Sequence, residues 1–292
     1  MISLPDPILL ATDGSEDAHA ATHAAADVAR SSGAELHVVH VWQPSQSGPP
    51  GEEGTPAGEE LAAAILEKAL GEAHLDGIED AVPHLRTGRA VEEILRVASE
   101  IEAGLVVIGS RGLGALQRAL VGSVSEGVVH HSTRPVLVLR ATEHAWPPAR
   151  LVIGDDASVD SRRAGELAAL IGHMFGTSAV VVRALSKLPR LLEGEVDADA
   201  RTVDDALRVA ESSLAQRASE LEPVLGMRPR VHVAIDDPAA ALLAMARDDG
   251  DPALIAVGTR GLGPVQRWRF GSVSTDVLRG APGAVLINAH PH

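Results

Sequence analysis

The chain has 292 residues, enough for about two domains that each bury a core of their own. Its formal net charge of -15 argues against nucleic acid as a partner, because binding to a phosphate backbone needs a basic face. The absence of cysteine excludes disulfides and thiolate metal sites and is compatible with a reducing cytoplasm. No apolar run approaches the about 18 residues of a membrane span, and no export signal is recognisable, so we expect a cytoplasmic protein without a membrane partner.

The first half of the chain alternates short apolar strands with helical segments. A first helix is alanine-rich, ends near Gly33 and has Asp13 or Ser15 as its N-cap. Residues 43–60 are rich in Pro, Gly and Glu and are predicted to form a surface loop. Strands are predicted over residues 8–12, 36–42, 82–86, 105–108 and 135–139, and further helices over 61–73, 91–103 (ended by Gly104) and 123–131.

The second half repeats this order after a joint at residues 142–148. Strands are predicted over residues 151–154, 179–185, 230–235, 254–257 and 284–287, with helices over 161–172, 206–221 and 239–247 and a polar loop over 186–202. Apolar strands that alternate with helices indicate a parallel sheet covered on both faces. The pattern therefore predicts an α/β doubly wound fold in two domains, residues 1–143 and 149–292.

A glycine-rich loop occurs once in each half. GSRGLGALQRALVGSVS begins at Gly109, and GTRGLGPVQRWRFGSVS begins at Gly258, with eleven of the seventeen positions identical. Each copy follows a central apolar strand, and open α/β sheets bind ligands beyond the carboxyl ends of their strands. We therefore expect a binding site at each copy.

The composition of the loop favours an anionic ligand. Its glycines, expected at positive φ angles, would bring backbone amides close to phosphate oxygens. Ser123 is predicted to open a helix, and Ser123 to Glu126 has the form of a capping box. A helix N-terminus attracts anions, and the loop arginines could add charge-assisted bonds. The spacing excludes a P-loop, and no Gly-x-Gly-x-x-Gly follows the first strand of either half, which argues against a dinucleotide fold.

The loop spacing is Gly, two residues, Gly, nine residues, Gly-Ser, and it resembles that of the universal stress protein family, where it marks members that bind ATP. The resemblance covers nearly the whole chain as a tandem of two domains. It implies two Rossmann-like domains of the adenine nucleotide alpha hydrolase type, each with a five-stranded parallel sheet. It also implies ATP, with Mg, as the ligand.

The resemblance also assigns roles to individual residues. In the first half, Ala11, Asp13 and the backbone of Val41 would contact ribose and adenine, and the phosphates would lie on Gly109, Ser110, Arg111, Gly112, Leu113, Gly114, Arg118, Gly122, Ser123, Val124 and Ser125. The matching positions of the second half are Ile153, Asp155, Ala184, Gly258, Thr259, Arg260, Gly261, Leu262, Gly263, Arg267, Gly271, Ser272, Val273 and Ser274. The second half departs from the family pattern around Asp155, which is followed by Asp156 and Ala157, and at Ala184.

Simpler interpretations exist for the same residues. Asp13 and Asp155 could only cap helices, isolated glycine loops are usually tight turns, and Arg111 and Arg260 could be surface charges. The duplicated spacing favours a ligand site over a turn. His19 and His23 have the i, i+4 spacing of a zinc pair, but no third ligand is identifiable, which favours a solvent-facing helix surface.

Three functions fit the sequence. The first is a nucleotide-dependent regulatory protein with one ATP site per domain. Bound ATP would stabilise a conformation or assembly that an unidentified protein partner recognises. The second is a slow ATP hydrolase or nucleotide-transferring enzyme, which the loops disfavour because neither contains Glu, Asp, His or Lys between its first glycine and its Gly-Ser. The third is a scaffold with vestigial sites.

The halves are also expected to form an intramolecular pseudo-dimer, with strands 135–139 and 284–287 paired antiparallel, and self-association of the whole chain is left open.

Overall fold

The computed structural model describes residues 6–43, 56–112, 121–141, 146–186, 200–247, 252–259 and 271–288. The chain divides into two compact units between Trp146 and Pro147. Each unit alternates strands with helices, as the sequence pattern predicts. The domain limits of 143 and 149 and the antiparallel pairing of the final strands stay predictions.

Unit 1 is a five-stranded parallel sheet in the order β3-β2-β1-β4-β5. Its elements are β1 (Ile8–Ala11), α1 (Glu16–Ser32), β2 (Leu36–Trp42), α2 (Pro56–Leu75), β3 (Val82–Thr87), α3 (Ala90–Glu100), β4 (Leu105–Gly109), α4 (Ser123–His131) and β5 (Val136–Leu139). Every residue of β1, β4 and β5 is buried. Burial on both faces is the reason why these strands are continuously apolar.

Unit 2 has the same architecture, with the strand order β8-β7-β6-β9-β10. Its elements are β6 (Arg150–Gly154), α5 (Val159–Phe175), β7 (Ser178–Ala184), α6 (Ala200–Leu225), β8 (Arg230–Ala234), α7 (Pro238–Arg247), β9 (Ala253–Gly258), α8 (Ser272–Gly280) and β10 (Val285–Asn288). The sequence pattern predicts no helix at α8, although its residues match those of α4. The fold of each unit is thus a Rossmann-like α/β sheet with parallel strands.

Several element ends differ from the predicted ones. α2 begins at Pro56, inside the predicted loop, because proline suits the first position of a helix. α6 likewise begins at residue 200. α3 ends at Glu100 rather than at Ala103, because Glu102 takes a left-handed conformation with φ 53° before Gly104 is reached. Residues 44–55 and 187–199, in the two predicted loops, lie outside the described residues.

The topology creates one switch point in each unit. In unit 1 the chain crosses from β1 to β2 on one side and later returns to β4 on the other side of β1. Ligands of such sheets lie at the carboxyl ends of the two strands that flank this reversal. In unit 1, Thr12 directly follows β1 and Ser110 directly follows β4. In unit 2, Asp155 directly follows β6 and Thr259 directly follows β9.

Candidate functional site

The turn after β1 places Asp13 at the switch point of unit 1. Asp13 Oδ1 accepts a hydrogen bond from Ser15 N at 3.1 Å, which closes a tight turn. Gly14 has a φ of 76° in this turn, a conformation that favours glycine. Ser15, one of the two predicted N-caps, caps α1 by accepting a hydrogen bond from Ala18 N at 3.3 Å.

The first residues of the glycine-rich loop contact this turn. Ser15 Oγ donates a hydrogen bond to Arg111 O at 2.9 Å. Gly112 lies so close to Asp13 that a Cβ atom on residue 112 would overlap Asp13 Oδ2. The loop backbone therefore runs directly beside the half-buried Asp13 carboxylate.

The loop of unit 1 returns to the end of β4 at Gly122. Ser110 O accepts hydrogen bonds from Gly122 N and from Ser125 Oγ, both at 2.7 Å. Ser110 N in turn donates to Leu139 O of β5 at 2.7 Å. These bonds hold the start of α4 against the carboxyl end of β4, close to the turn that contains Asp13.

The N-terminus of α4 carries no side-chain cap. Gly122 is the N-cap residue, with φ -78° and ψ 151°, and Ser123 is the first helical residue. The predicted capping box is therefore wrong, because Ser123 lies one position too late to serve as its N-cap. The first-turn amides of a helix have no intrahelical acceptor, and the helix dipole makes that end attractive to anions. Ser123 and Val124 thus present amides suited to a phosphate.

The predicted positive φ angles are wrong for the described loop glycines. Gly109, Gly112 and Gly122 do not have them, nor do Gly258 and Gly271. Close packing explains these glycines instead. A Cβ atom on Gly109 would lie 2.7 Å from the carbonyl carbon of Asp17, and one on Gly258 would lie 2.7 Å from that of Asp160. The first glycine of each loop therefore lets the first turn of α1 or α5 lie directly on the strand end.

Several loop amides already donate to protein acceptors. Arg111 N donates to Asp17 Oδ2 at 2.9 Å, and Ser110 N and Gly122 N donate to the carbonyls of Leu139 and Ser110. These bonds set the shape of the loop base. Among the described residues of unit 1, the amides in the first turn of α4 are therefore better placed to donate to a phosphate than the amides of the loop base.

Asp17 organises the loop base from the first turn of α1. Its carboxylate also accepts hydrogen bonds from Arg111 Nε at 3.0 Å and from Ala141 N at 2.8 Å, and the residue is only 2% exposed. The hydrogen bond to Asp17, followed by the charge of Asp17, raises the pKa of Arg111. The Arg111 guanidinium, predicted to contact phosphate, is therefore held by a carboxylate in this structure.

Unit 2 repeats the loop base. Gly271 N donates to Thr259 O at 3.0 Å, and Thr259 N donates to Asn288 O of β10 at 3.1 Å. Thr259 Oγ1 donates to Asp160 Oδ2 at 3.3 Å, so Asp160 has the place in α5 that Asp17 has in α1. Gly271 is the N-cap of α8 and, like Gly122, provides no side-chain cap.

The turn after β6 differs from its counterpart. Asp155 Oδ1 accepts hydrogen bonds from Ala157 N at 3.0 Å and from Arg183 Nη2, and Asp155 Oδ2 lies 3.8 Å from Arg217 Nε. Arg217 is buried and Arg183 is half-buried. Asp155, predicted to contact ribose, is thus surrounded by cations of its own chain.

The strand registers and turn hydrogen bonds compare the two halves directly. Ile8 pairs with Leu36 and Leu105, and Leu151 pairs with Ala179 and Leu254, so Val41 of β2 matches Ala184 of β7, as the sequence comparison has it. The displaced position is Asp155: Ser158 N donates to Asp156 Oδ1 as Ser15 N donates to Asp13 Oδ1, so Asp156 matches Asp13 and Asp155 matches Thr12. Near the carboxyl end of β2, His40 donates a hydrogen bond from Nδ1 to Thr12 O at 2.8 Å.

The remaining predicted site residues separate into two groups. Ala11, Ile153, Ser125, Val273 and Ser274 lie at the strand ends or in the first turns that flank the two switch points. The predicted contacts at Leu113, Gly114, Arg118, Arg260, Gly261, Leu262, Gly263 and Arg267 lie outside the described residues.

Sequence reasoning missed the residues that support the loop. Asp17 and Asp160 each stand two positions after a capping serine, and this repeated pattern could have indicated a shared role. Arg183 stands where the first half has His40, which likewise bonds the backbone oxygen after the first strand, but the residue type differs and gave no signal. The role of Arg183 and Arg217 depends on side chains from β7 and α6 that meet at Asp155.

The histidine pair of α1 contacts acidic residues of α2 and of the turn after it, and the side chains of His19 and His23 are 28% and 56% exposed. His19 Nδ1 is 2.8 Å from Glu72 Oε2, and His23 Nδ1 is 2.6 Å from Asp76 Oδ2. Within the described ranges, no group of three or more His, Asp or Glu side chains could hold a metal ion. The helices in those ranges also include none with the length and apolar character of a membrane span.

Comparison with known proteins identifies the family. The model of the universal stress protein family matches residues 5–140 and again residues 149–288. The chain therefore belongs to the universal stress protein family, as a tandem of two family domains.

Related proteins agree with this assignment. A universal stress protein of Mycolicibacterium smegmatis is 27% identical over 296 residues, which cover 96% of each chain. The crystal structure of a universal stress protein from Archaeoglobus fulgidus has the same fold, with a TM-score of 0.70 at 23% identity over 97% of this chain and 98% of that one. Another solved universal stress protein, in complex with cAMP, is 27% identical and covers 48% of this chain and 100% of its own, with a TM-score of 0.40.

Proposed function

We propose that this protein is a nucleotide-dependent regulatory protein that binds ATP at the switch point of each unit. One observation carries the proposal: the uncapped start of α4 is held at the end of β4, beside the turn that contains Asp13. The arrangement offers a carboxylate for ribose hydroxyls and helix amides for phosphates within one crevice. Membership of the universal stress protein family and the duplicated loop spacing support the same ligand.

Gly112 links the two ends of the proposed site. It contacts Asp13 on the nucleoside side, and it belongs to the loop whose base reaches α4 on the phosphate side. Magnesium would arrive with the triphosphate, since phosphate oxygens commonly supply part of its coordination. Unit 2 repeats the phosphate side through Thr259, Gly271 and the start of α8.

Binding is proposed in preference to hydrolysis. Asp17, the carboxylate closest to the loop base on α1, is already occupied by Arg111 and Ala141 and so is poorly placed to activate water. The slow hydrolase stays the alternative function. Release of inorganic phosphate from ATP by the purified chain would distinguish the two.

Calorimetric titration of the full chain with ATP and magnesium tests the proposal. We expect saturable heat with a stoichiometry of up to two nucleotides per chain. A Gly122→Val, Gly271→Val double variant should give no heat, whereas Gly71→Ala in α2, where a Cβ atom meets open space, should bind as the parent does. Absence of heat with both ATP and ADP would contradict the proposal, and mass spectrometry of the purified protein would identify any nucleotide already bound.

A further inference from the structure

Lysine is rare in this chain, and one of its lysines lies against a histidine. Of the 25 Lys and Arg residues, only Lys68 and Lys187 are lysines. Lys68 Nζ, on α2, is 3.1 Å from His19 Nε2, on α1. Arginine stays protonated in proteins, whereas a lysine amine that loses its proton is a nucleophile. We propose that Lys68 is a modification site that an activated acyl donor acylates, with His19 as the general base.

Two neighbours fix the tautomer of His19. A lysine ammonium has only donors, so Lys68 Nζ donates the hydrogen bond that His19 Nε2 accepts. The other ring nitrogen, Nδ1, then carries the proton and donates to Glu72 Oε2 at 2.8 Å. His19 therefore directs the lone pair of a neutral imidazole at the amine, within the distance over which a general base removes a proton.

Glu72 positions both partners from α2. Its Oε2 accepts the hydrogen bond from His19, and its Oε1 lies 3.9 Å from Lys68 Nζ, one helical turn earlier. A carboxylate that orients an imidazole also stabilises the imidazolium that forms when the ring accepts a proton. Lys68, His19 and Glu72 thus supply a nucleophile, a base and a group that orients the base, which is the arrangement that activates nucleophiles in covalent catalysis.

The amine is open to a reagent, while its base is sheltered. The side chain of Lys68 is 61% exposed, so a carbonyl carbon can approach Nζ from solvent. The side chains of His19 and Glu72 are 28% and 20% exposed. An exposed amine beside a sheltered base suits a small electrophile with a good leaving group, namely an acyl phosphate or an acyl thioester.

The reaction is an acyl transfer. The Lys68 ammonium gives one proton to His19 Nε2, and the amine attacks the carbonyl carbon of the donor. A C–N bond forms while the C–O bond of the acyl phosphate, or the C–S bond of the thioester, breaks. The second amine proton leaves with the phosphate or the thiolate, and His19 releases its proton to solvent. The product is a neutral amide, so the charge pair between Lys68 and Glu72 is lost.

The next histidine of α1 offers a matched control. His23 lies one turn further along, and its Nδ1 is 2.6 Å from Asp76 Oδ2, so it repeats the contact between an imidazole and a carboxylate. The one lysine of the described ranges, Lys68, contacts His19 instead. Changes at His23 therefore alter a similar surface contact without touching the proposed base.

Acetylation of the full chain tests the proposal, with acetyl phosphate in one arm and acetyl coenzyme A in the other. Peptide mass spectrometry measures the rate at Lys68 relative to that at Lys187 in the same sample. This ratio should be at least about tenfold higher in the folded protein than in the chain unfolded in guanidinium chloride, where His19 no longer lies beside the amine. The arm with the faster reaction at Lys68 identifies the class of donor.

Three variants separate general-base catalysis from simple exposure of the amine. His19→Gln should lower the ratio by about tenfold or more, Glu72→Gln should lower it less, and His23→Gln should leave it unchanged. Equal ratios in the folded and unfolded parent, or a parental ratio in His19→Gln, would overturn the proposal. If circular dichroism shows that His19→Gln is unfolded, Glu72→Gln decides, and an unchanged ratio there counts against the proposal. The acetylation rates are measured without ATP, so they do not depend on the proposed nucleotide sites.

Discussion

Asp17 and Arg111 are joined by three hydrogen bonds, from the Arg111 amide at 2.9 Å and from its guanidinium at 3.0 and 3.2 Å, all accepted by the Asp17 carboxylate. The two residues stand 94 positions apart in the chain. The pair fixes the first turn of α1 to the start of the glycine-rich loop. Its principal role is therefore to shape the loop, and ligand contact by Arg111 would require this pair to open.

Replacing Asp17 should lower stability more than replacing Arg111. Asp17→Ala leaves the part-buried amides of Arg111 and Ala141 without their acceptor, and we expect a loss of about 1–3 kcal/mol in the free energy of unfolding. Arg111→Ala keeps both amide bonds and should cost less than about 1 kcal/mol, because its side chain is 41% exposed. Urea unfolding measures both, with the exposed Arg30→Ala as control. An equal loss in the two variants would contradict the role assigned to Asp17.

Gly109→Ala should destabilise the chain although it changes only one methyl group. A Cβ atom at residue 109 would meet the backbone of Asp17 at 2.7 Å and that of Ala18 at 2.8 Å, so α1 must shift away from β4. Overpacking of this kind typically costs about 1–3 kcal/mol. Gly71→Ala should instead raise stability by about 0.5–1 kcal/mol, since alanine favours a helix and its Cβ meets nothing within 4 Å. Thermal unfolding of both variants would show opposite signs; a neutral Gly109→Ala would be inconsistent with the packing described.

Bulky residues at Gly122 and Gly271 should remove ATP binding without unfolding the units. The effect is steric and does not come from the backbone φ angle. A Cβ atom would lie 3.2 Å from Ser110 O in unit 1 and 2.9 Å from Thr259 O in unit 2. The closer contact makes Gly271→Val the more destabilising change. Titration calorimetry and circular dichroism report the two effects separately. Parental affinity in the double variant would show that the loop is only a structural turn.

The stability of unit 1 should fall as the solution becomes more acidic, partly through His84. Burial lowers the pKa of His84, as do the nearby charges of His37 and Arg86, while Glu100 opposes them. His84 Nε2 lies 2.8 Å from His37 Nδ1, and their rings stack at 5.1 Å. Below the ordinary histidine value of about 6.5, the unfolded chain binds a proton that the folded chain resists, so folding weakens until the lowered pKa is passed.

His84→Gln isolates that contribution. The variant should lose less stability than the parent between about pH 7 and pH 5, measured by urea unfolding at each value. Because both proteins keep the other histidines, the difference between their two pH series reports the contribution of His84. A parallel fall in the two proteins would exclude His84 as a source of the acid sensitivity.

The sequence alone was sufficient for the order of elements apart from α8, for the two-fold repetition and for the two switch-point positions. These features follow from local patterns, because apolar strands, capping residues such as Ser15 and stop residues such as Gly33 each act within a few positions of the chain. The paired loops at Gly109 and Gly258 were visible for the same reason. The resemblance to the universal stress protein family followed from those same loops and was confirmed.

Only the tertiary structure decided what the site residues contact. Asp17 binds a loop 94 residues away, and Asp155 meets arginines 28 and 62 positions later, on β7 and α6. The loop glycines were expected to provide positive φ angles, but Gly109 and Gly258 serve the close approach of a helix. Such contacts depend on how strands and helices of distant sequence pack together, and neither periodicity nor composition records that packing.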